Sequence, residues 1–225
     1  MTREDLLAAN GAIVRSVIAE VRETSPEAIV ILVTNPLDVM AHLAWRVSGF
    51  PASRVLGMGG VLDSARFAYF IADATGAAIS DIDAVVIGAH GDTMVPLPRF
   101  STVRGTPLSE LLSAEEVAEI VRRTVFGGAE VVALLKSGSA FYAPAASVTA
   151  MVAAVLGDTG AVLPSCVLLD GEYGLSGLHL NVPASLGRAG VLSIPEWDLD
   201  AAERAALHAS AAGVAETLAS IDLGA

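Results

Sequence analysis

The sequence predicts an α/β protein: the C-terminal part of a doubly wound parallel sheet, followed by an α+β domain. Three observations carry this. The first 75 residues alternate helical patterns with short β-rich apolar runs, the signature of parallel strands joined by helices. The stretch from Asp83 to Arg104 pairs an apolar run with what reads as an antiparallel return. From Val162 onward the pattern changes to β runs separated by glycine turns, and an alanine-rich helix closes the chain.

The elements follow in order. Leu6, Leu7, Ile13, Val14, Val17, Ile18 and Val21 recur at three- and four-residue spacing, which predicts a helix over 4–23 ended by Ser25-Pro26. The run AIVILVT, closed by Asn35-Pro36, reads as a buried strand. Leu37 to Ser48 is a second helix, stopped by Gly49-Phe50-Pro51. A short strand around 54–56 leads through Gly57, Gly59 and Gly60 into a helix over about 61–75. One strand is expected at 83–88, its partner within 93–104, and two helices at 114–136 and 144–156. Residues 162–191 read as a meander or pair of hairpins turning at Asp170-Gly171 and Gly187 to Gly190.

Composition narrows the function classes. Thirteen basic residues face 25 acidic ones, a net charge of −12, which argues against a polyanionic partner such as nucleic acid. Small anions need only one or two arginines and stay open. The single cysteine, Cys166, permits no intrachain disulfide and no cysteine-based metal centre, and it reads as a small core residue. No run is apolar and long enough to span a membrane, so none is expected as a partner and a cytoplasmic protein is the expectation.

Three segments could carry chemistry. Asp63 and Arg66, three apart on one helix face, read either as a surface salt bridge or as a paired acid and guanidinium. His90 sits in Gly88-Ala89-His90-Gly91-Asp92-Thr93, beyond the end of a strand, where small neighbours leave room for a ligand; the alternative is a structural turn histidine. Val33-Thr34-Asn35-Pro36-Leu37-Asp38 runs from a strand into an asparagine held by proline, which reads as a ligand-facing amide or an Asx turn opening the next helix. His42, His179 and His208 lack glycine neighbours and receive no role.

Taken together, that strand-Thr-Asn-Pro-Leu-Asp segment, GMGGVLDSARF (57–67), GAHGDTMVP (88–96) and GSAFYAPAASV (138–148) resemble the lactate/malate dehydrogenase superfamily along the whole chain. Met58-Gly59-Gly60-Val61 ahead of Leu62-Asp63 is similar to the malate branch. The resemblance implies a Rossmann-like remnant over residues 1–58 and a substrate domain over 59–225. It implies NAD as cofactor, a small dicarboxylate or other 2-hydroxy acid as substrate, and a homo-oligomer, dimer or tetramer. His90 would then be the acid/base and Asp63 its carboxylate partner. Arg3, Asn35, Arg66, Ser139 and Ala140 would meet substrate; Asn10, Val33, Thr34 and Asn35 would meet the cofactor. No metal is implied. In that alignment Met1-Thr2-Arg3 falls well inside the family's first domain. The glycine-rich pyrophosphate turn, the acidic ribose ligand and the arginine for a second carboxylate have no counterpart, so weak NAD affinity is expected of this chain alone. An association-only paralogue and a dehydrogenase for lactate or another 2-hydroxy acid stand as alternatives.

Overall fold

In a computed structural model of the chain, residues 3–136 and 140–221 are described. The helices are α1 (Arg3–Thr24), α2 (Leu37–Ser48), α3 (Gly60–Thr75), α4 (Leu108–Leu111), α5 (Ala114–Leu135), α6 (Tyr142–Gly157) and α7 (Ala201–Ser220). The strands are β1 (Val30–Leu32), β2 (Val55–Gly57), β3 (Ile82–Asp83), β4 (Val86–Ile87), β5 (Val95–Pro96), β6 (Thr102–Val103), β7 (Thr106–Pro107), β8 (Ala161–Asp170), β9 (Ser176–Gly187) and β10 (Gly190–Ser193).

The main sheet has the order β1-β2-β8-β9-β10. Its only parallel pair, among the described residues, is β1–β2, with Val30 opposite Val55. This is the piece of doubly wound sheet the sequence predicts. The α+β part joins it edge to edge, Gly57 pairing antiparallel with Cys166. Apolar side chains from α1, α2, β2, β8 and β9 meet in one core, including Val14, Leu37, Leu43, Leu56, Val167 and Leu180. A second cluster forms where Phe67, Phe70 and Ile71 of α3 face Val86, Leu108 and Ile120. α7 is fastened at its start by Asp200, whose side chain accepts from the Ala202 and Glu203 amides while Glu203 returns a bond to the Asp200 amide.

Three expectations need correction. The run 28–34 is not a buried strand: β1 is an edge, Val30 and Ile31 are only half-buried, and Val33 is 45% exposed. The single strand expected at 83–88 divides. β3 pairs with β6, and β4 pairs with β5, in separate small sheets. Residues 162–191 hold long strands rather than short runs, ten residues in β8 and twelve in β9, turning where expected.

Candidate active site

The site is built where α3, the end of β4 and the start of α2 converge. Ser64 Oγ accepts the Val86 amide at 2.9 Å, fixing α3 beside β4. Gly60, the first residue of α3, sits against the Pro164 backbone, where a Cβ would lie 2.8 Å from the Pro164 carbonyl oxygen. Only glycine permits that approach. α3 therefore enters at a fixed depth and points Asp63 inward, its side chain 2% exposed.

Beyond β4, Gly88 takes a φ of +84° and exchanges backbone hydrogen bonds with Asn181 of β9. The chain then turns through Ala89, whose amide donates to the buried Ser210 Oγ at 2.8 Å. The next amide, that of His90, donates to Asp38 Oδ2 at 2.9 Å. With its backbone held on both sides, His90 places Nδ1 2.7 Å from Asp63 Oδ2. Arg66 reaches the other oxygen of the same carboxylate, Nη1 to Oδ1, at 3.2 Å. The Asp63–Arg66 pair is thus no loose surface bridge: the arginine side chain is 19% exposed. It lies along α5 at Gly127, where a Cβ would come within 2.7 Å of Arg66 Cδ.

Burial pulls the His90 imidazole toward neutrality. The hydrogen bond and charge of Asp63, with the charge of Asp38 behind it, pull harder the other way, against opposition from Arg66. The net effect holds the imidazole above its ordinary range.

The nicotinamide-side candidates lie just past β1. Val33, Thr34 and Asn35 are exposed, and the Asn35 carbonyl accepts a hydrogen bond from Asn10 Nδ2 at 2.6 Å. Asn35 does not cap the following helix; Pro36 occupies that position, joined to Asn35 by a cis bond. Arg3 opens α1, two turns ahead of Asn10. Ala140 is exposed ahead of α6, and Ser139 lies outside the described residues. Among the described residues, no group of three or more metal-ligating side chains comes together.

Two contributors are invisible to sequence reasoning. Asp38 was part of a recognised segment but had no assigned role, and Asn181 lies in a strand with no motif at all. The pair Gly127-Gly128 inside a helix did carry a signal, since glycine is unfavourable there unless something packs close. That something is Arg66.

Residues 1–57 match the family model for the NAD binding domain of lactate/malate dehydrogenase, and residues 60–222 match that for its alpha/beta C-terminal domain. A malate dehydrogenase from Synechocystis is 51% identical over 95% of this chain and 66% of its own length. One from Thermomicrobium roseum is 52% identical over 96% of this chain and 70% of its own. The chain therefore spans about two thirds of the length of these relatives. Among solved structures, malate dehydrogenase from Salinibacter ruber superposes with a TM-score of 0.94 at 47% identity, covering 97% of this chain and 71% of that one. Lactate dehydrogenase from Cryptosporidium parvum, complexed with lactic acid and nicotinamide adenine dinucleotide, superposes with a TM-score of 0.94 at 42% identity, covering 97% and 70%. Two family models covering almost every residue, and relatives at half identity, place this chain in the lactate/malate dehydrogenase family of NAD-dependent oxidoreductases.

Proposed function

We propose that the chain carries the acid/base and carboxylate-binding chemistry of an NAD-dependent malate dehydrogenase, interconverting (S)-malate and oxaloacetate. The reading is carried by the 2.7 Å contact of His90 with Asp63, with Arg66 beside them on the same helix. When Nδ1–H donates to the Asp63 carboxylate, the lone pair of Nε2 is left to take the substrate hydroxyl proton. Asp63 then faces the imidazolium so formed and stabilises it. In reduction the same Nε2–H returns the proton to the carbonyl oxygen. Arg66 spends one nitrogen on Asp63 and keeps its remaining N–H groups for the substrate carboxylate, which it would hold at two points.

Bound NAD would supply the acceptor for the hydride of the carbinol carbon. The residues past β1 suit its nicotinamide side. They lie exposed at the carboxyl end of a parallel strand pair, where open α/β sheets place ligands, and Asn10 braces the Asn35 carbonyl there. In this reading the backbone of Val33, Thr34 and Asn35 meets the nicotinamide ribose, Asn10 touches NAD, and Asn35 also meets substrate. Arg3 polarises the substrate carbonyl, and Ser139 and Ala140 line the pocket. The chain divides at 58/59 into cofactor and substrate parts. A homo-oligomer is supported by apolar groups left outside, such as Tyr69 of α3 at 54% exposure.

The test is NAD-linked oxidation of malate and lactate, followed by nicotinamide absorbance. Malate is the preferred substrate. His90→Asn lowers kcat by about 10²–10⁴-fold, the usual yield of a general base, and leaves NADH binding intact. Arg66→Gln lowers kcat/KM by roughly 10²–10³-fold through loss of a charge-assisted pair, without weakening NADH. Undiminished turnover in His90→Asn refutes the assignment. No turnover of either acid by the assembled wild-type protein favours the association-only reading instead.

A further inference from the structure

Asp38 is a carboxylate that the chemistry above does not use, and at 5% exposure it is an expensive group to bury. Its three described partners all donate to it. Oδ2 accepts the His90 amide at 2.9 Å; Oδ1 accepts Asn181 Nδ2–H at 3.2 Å and the Cys166 thiol at 3.4 Å. Three donors complement an anion, whereas a protonated carboxyl has to aim its own O–H at one of them.

Asn181 extends the arrangement. Its Nδ2 also donates to the Gly88 carbonyl at 2.9 Å, and its Oδ1 accepts the Gly60 amide at 2.7 Å. One buried amide therefore ties the first residue of α3, the helix of Asp63 and Arg66, to the last turn before His90. It is closely fitted there: a Cβ on Gly59 would lie 2.6 Å from Asn181 Oδ1. The two halves of the acid/base pair are held in register by Asp38 and Asn181.

We propose that Asp38 is a positioning residue for His90: it fixes the imidazole loop through the His90 amide and Asn181, and its negative charge joins that of Asp63 in favouring the imidazolium. The proposal rests on the reading of His90 as the acid/base. The groups facing the imidazole are Asp63 and Arg66 from α3 and Asp38 from α2, with Cys166 of β8 and Asn181 of β9 behind Asp38. Burial holds the Asp38 carboxyl up to about 6 even against the His90 amide and charge. Carboxyl and imidazole are thus coupled sites.

The experiment follows the His90 ring titration by NMR in the full chain, the resonance being identified by its loss in His90→Gln. Asp38→Asn lowers the His90 midpoint by about one pH unit or more, the effect of one charge within about 10 Å at a protein-like effective dielectric. A purely structural role alters the melting temperature and leaves the midpoint alone. An unmoved midpoint in folded Asp38→Asn overturns the proposal. Should that variant not fold, the reciprocal measurement keeps Asp38 in place. The carboxyl carbon of Asp38 is titrated in wild type and in His90→Gln, where loss of the imidazolium raises its midpoint by the same amount. No rise there overturns the proposal equally. Neither readout needs turnover, so a failed malate assay and an absent coupling are separate results.

Discussion

Replacing His179 by leucine should change how stability responds to acid. His179 lies in β9, fully buried, with Nδ1 3.4 Å from His42 Nδ1 and, among the described residues, no hydrogen-bond partner of normal geometry for Nε2. Burial, with the neighbouring His42 adding to it, pushes its pKa from 6.5 down to about 3. The folded protein keeps this ring neutral while the unfolded chain protonates it, so folding loses ~1.4 kcal/mol per pH unit as pH falls from 6.5 toward 3. Asp38 works in the opposite sense. Its carboxyl is raised from 3.8 to about 6, so it opposes folding by about 3 kcal/mol at neutral pH, and that opposition is relieved between pH 6 and 3.8. Over their common window the two slopes nearly cancel. His179→Leu removes one of them. At pH 7.5 the substitution should be nearly neutral, the gain from replacing a buried ring by an apolar side chain being offset by the partner that His42 Nδ1 loses. At pH 5 the variant should be about 2 kcal/mol more stable relative to wild type than at pH 7.5. Urea unfolding of both proteins at the two pH values measures this directly. An equal difference at both pH values would refute the reasoning, because every other titrating group is common to the pair.

Two further substitutions probe the scaffold beneath the site. Gly60→Ala forces a Cβ to within 2.7 Å of Pro164 Cβ and 2.8 Å of its carbonyl oxygen; a loss of about 1–3 kcal/mol is expected, and a displaced α3, carrying Asp63 away from the ring, should also lower the His90 midpoint in the NMR titration. Ser210→Ala leaves the Ala89 amide unpaired beside His90 and should cost about 1–3 kcal/mol in urea unfolding; wild-type stability would show that another acceptor serves that amide.

The helices were legible because their information is local. Periodicity and the Pro and Gly stops placed α1, α2 and α3 within a residue or two of the structure. Strand partners were not local, and there the reading slipped. Nothing in Asp83 to Gly88 says that Asp83 pairs with Thr102 while Val86 and Ile87 pair with Pro96 and Val95. In β8 and β9, Pro164 and Pro183 lie opposite one another, so whatever the ladder forgoes is forgone at one register position and both strands run on. The run 28–34 looked buried because it is uniformly apolar, yet burial depends on what lies beside an edge, which composition does not report.

The same division explains what could be read of the site. Asp63, Arg66 and His90 stood out because each occupies a compact motif with its own local logic. The support beneath them is spread widely: Asn181 reaches Gly60 across 121 positions and Asp38 across 143. No window of sequence contains such a contact. Energetics supplies the link that pattern could not. A carboxylate that opposes folding at neutral pH needs a reason to be retained in the core, and the charge itself is not retained for stability, since a neutral acceptor would remove the penalty of ionisation and still serve the donors. What Asp38 does that a neutral acceptor would not is present a second negative charge to the imidazole while it accepts the His90 amide. Its cost to stability and its place in the site therefore point to the same residue for the same purpose, which is why the coupling between 38 and 90, rather than either melting temperature, is the decisive quantity to measure.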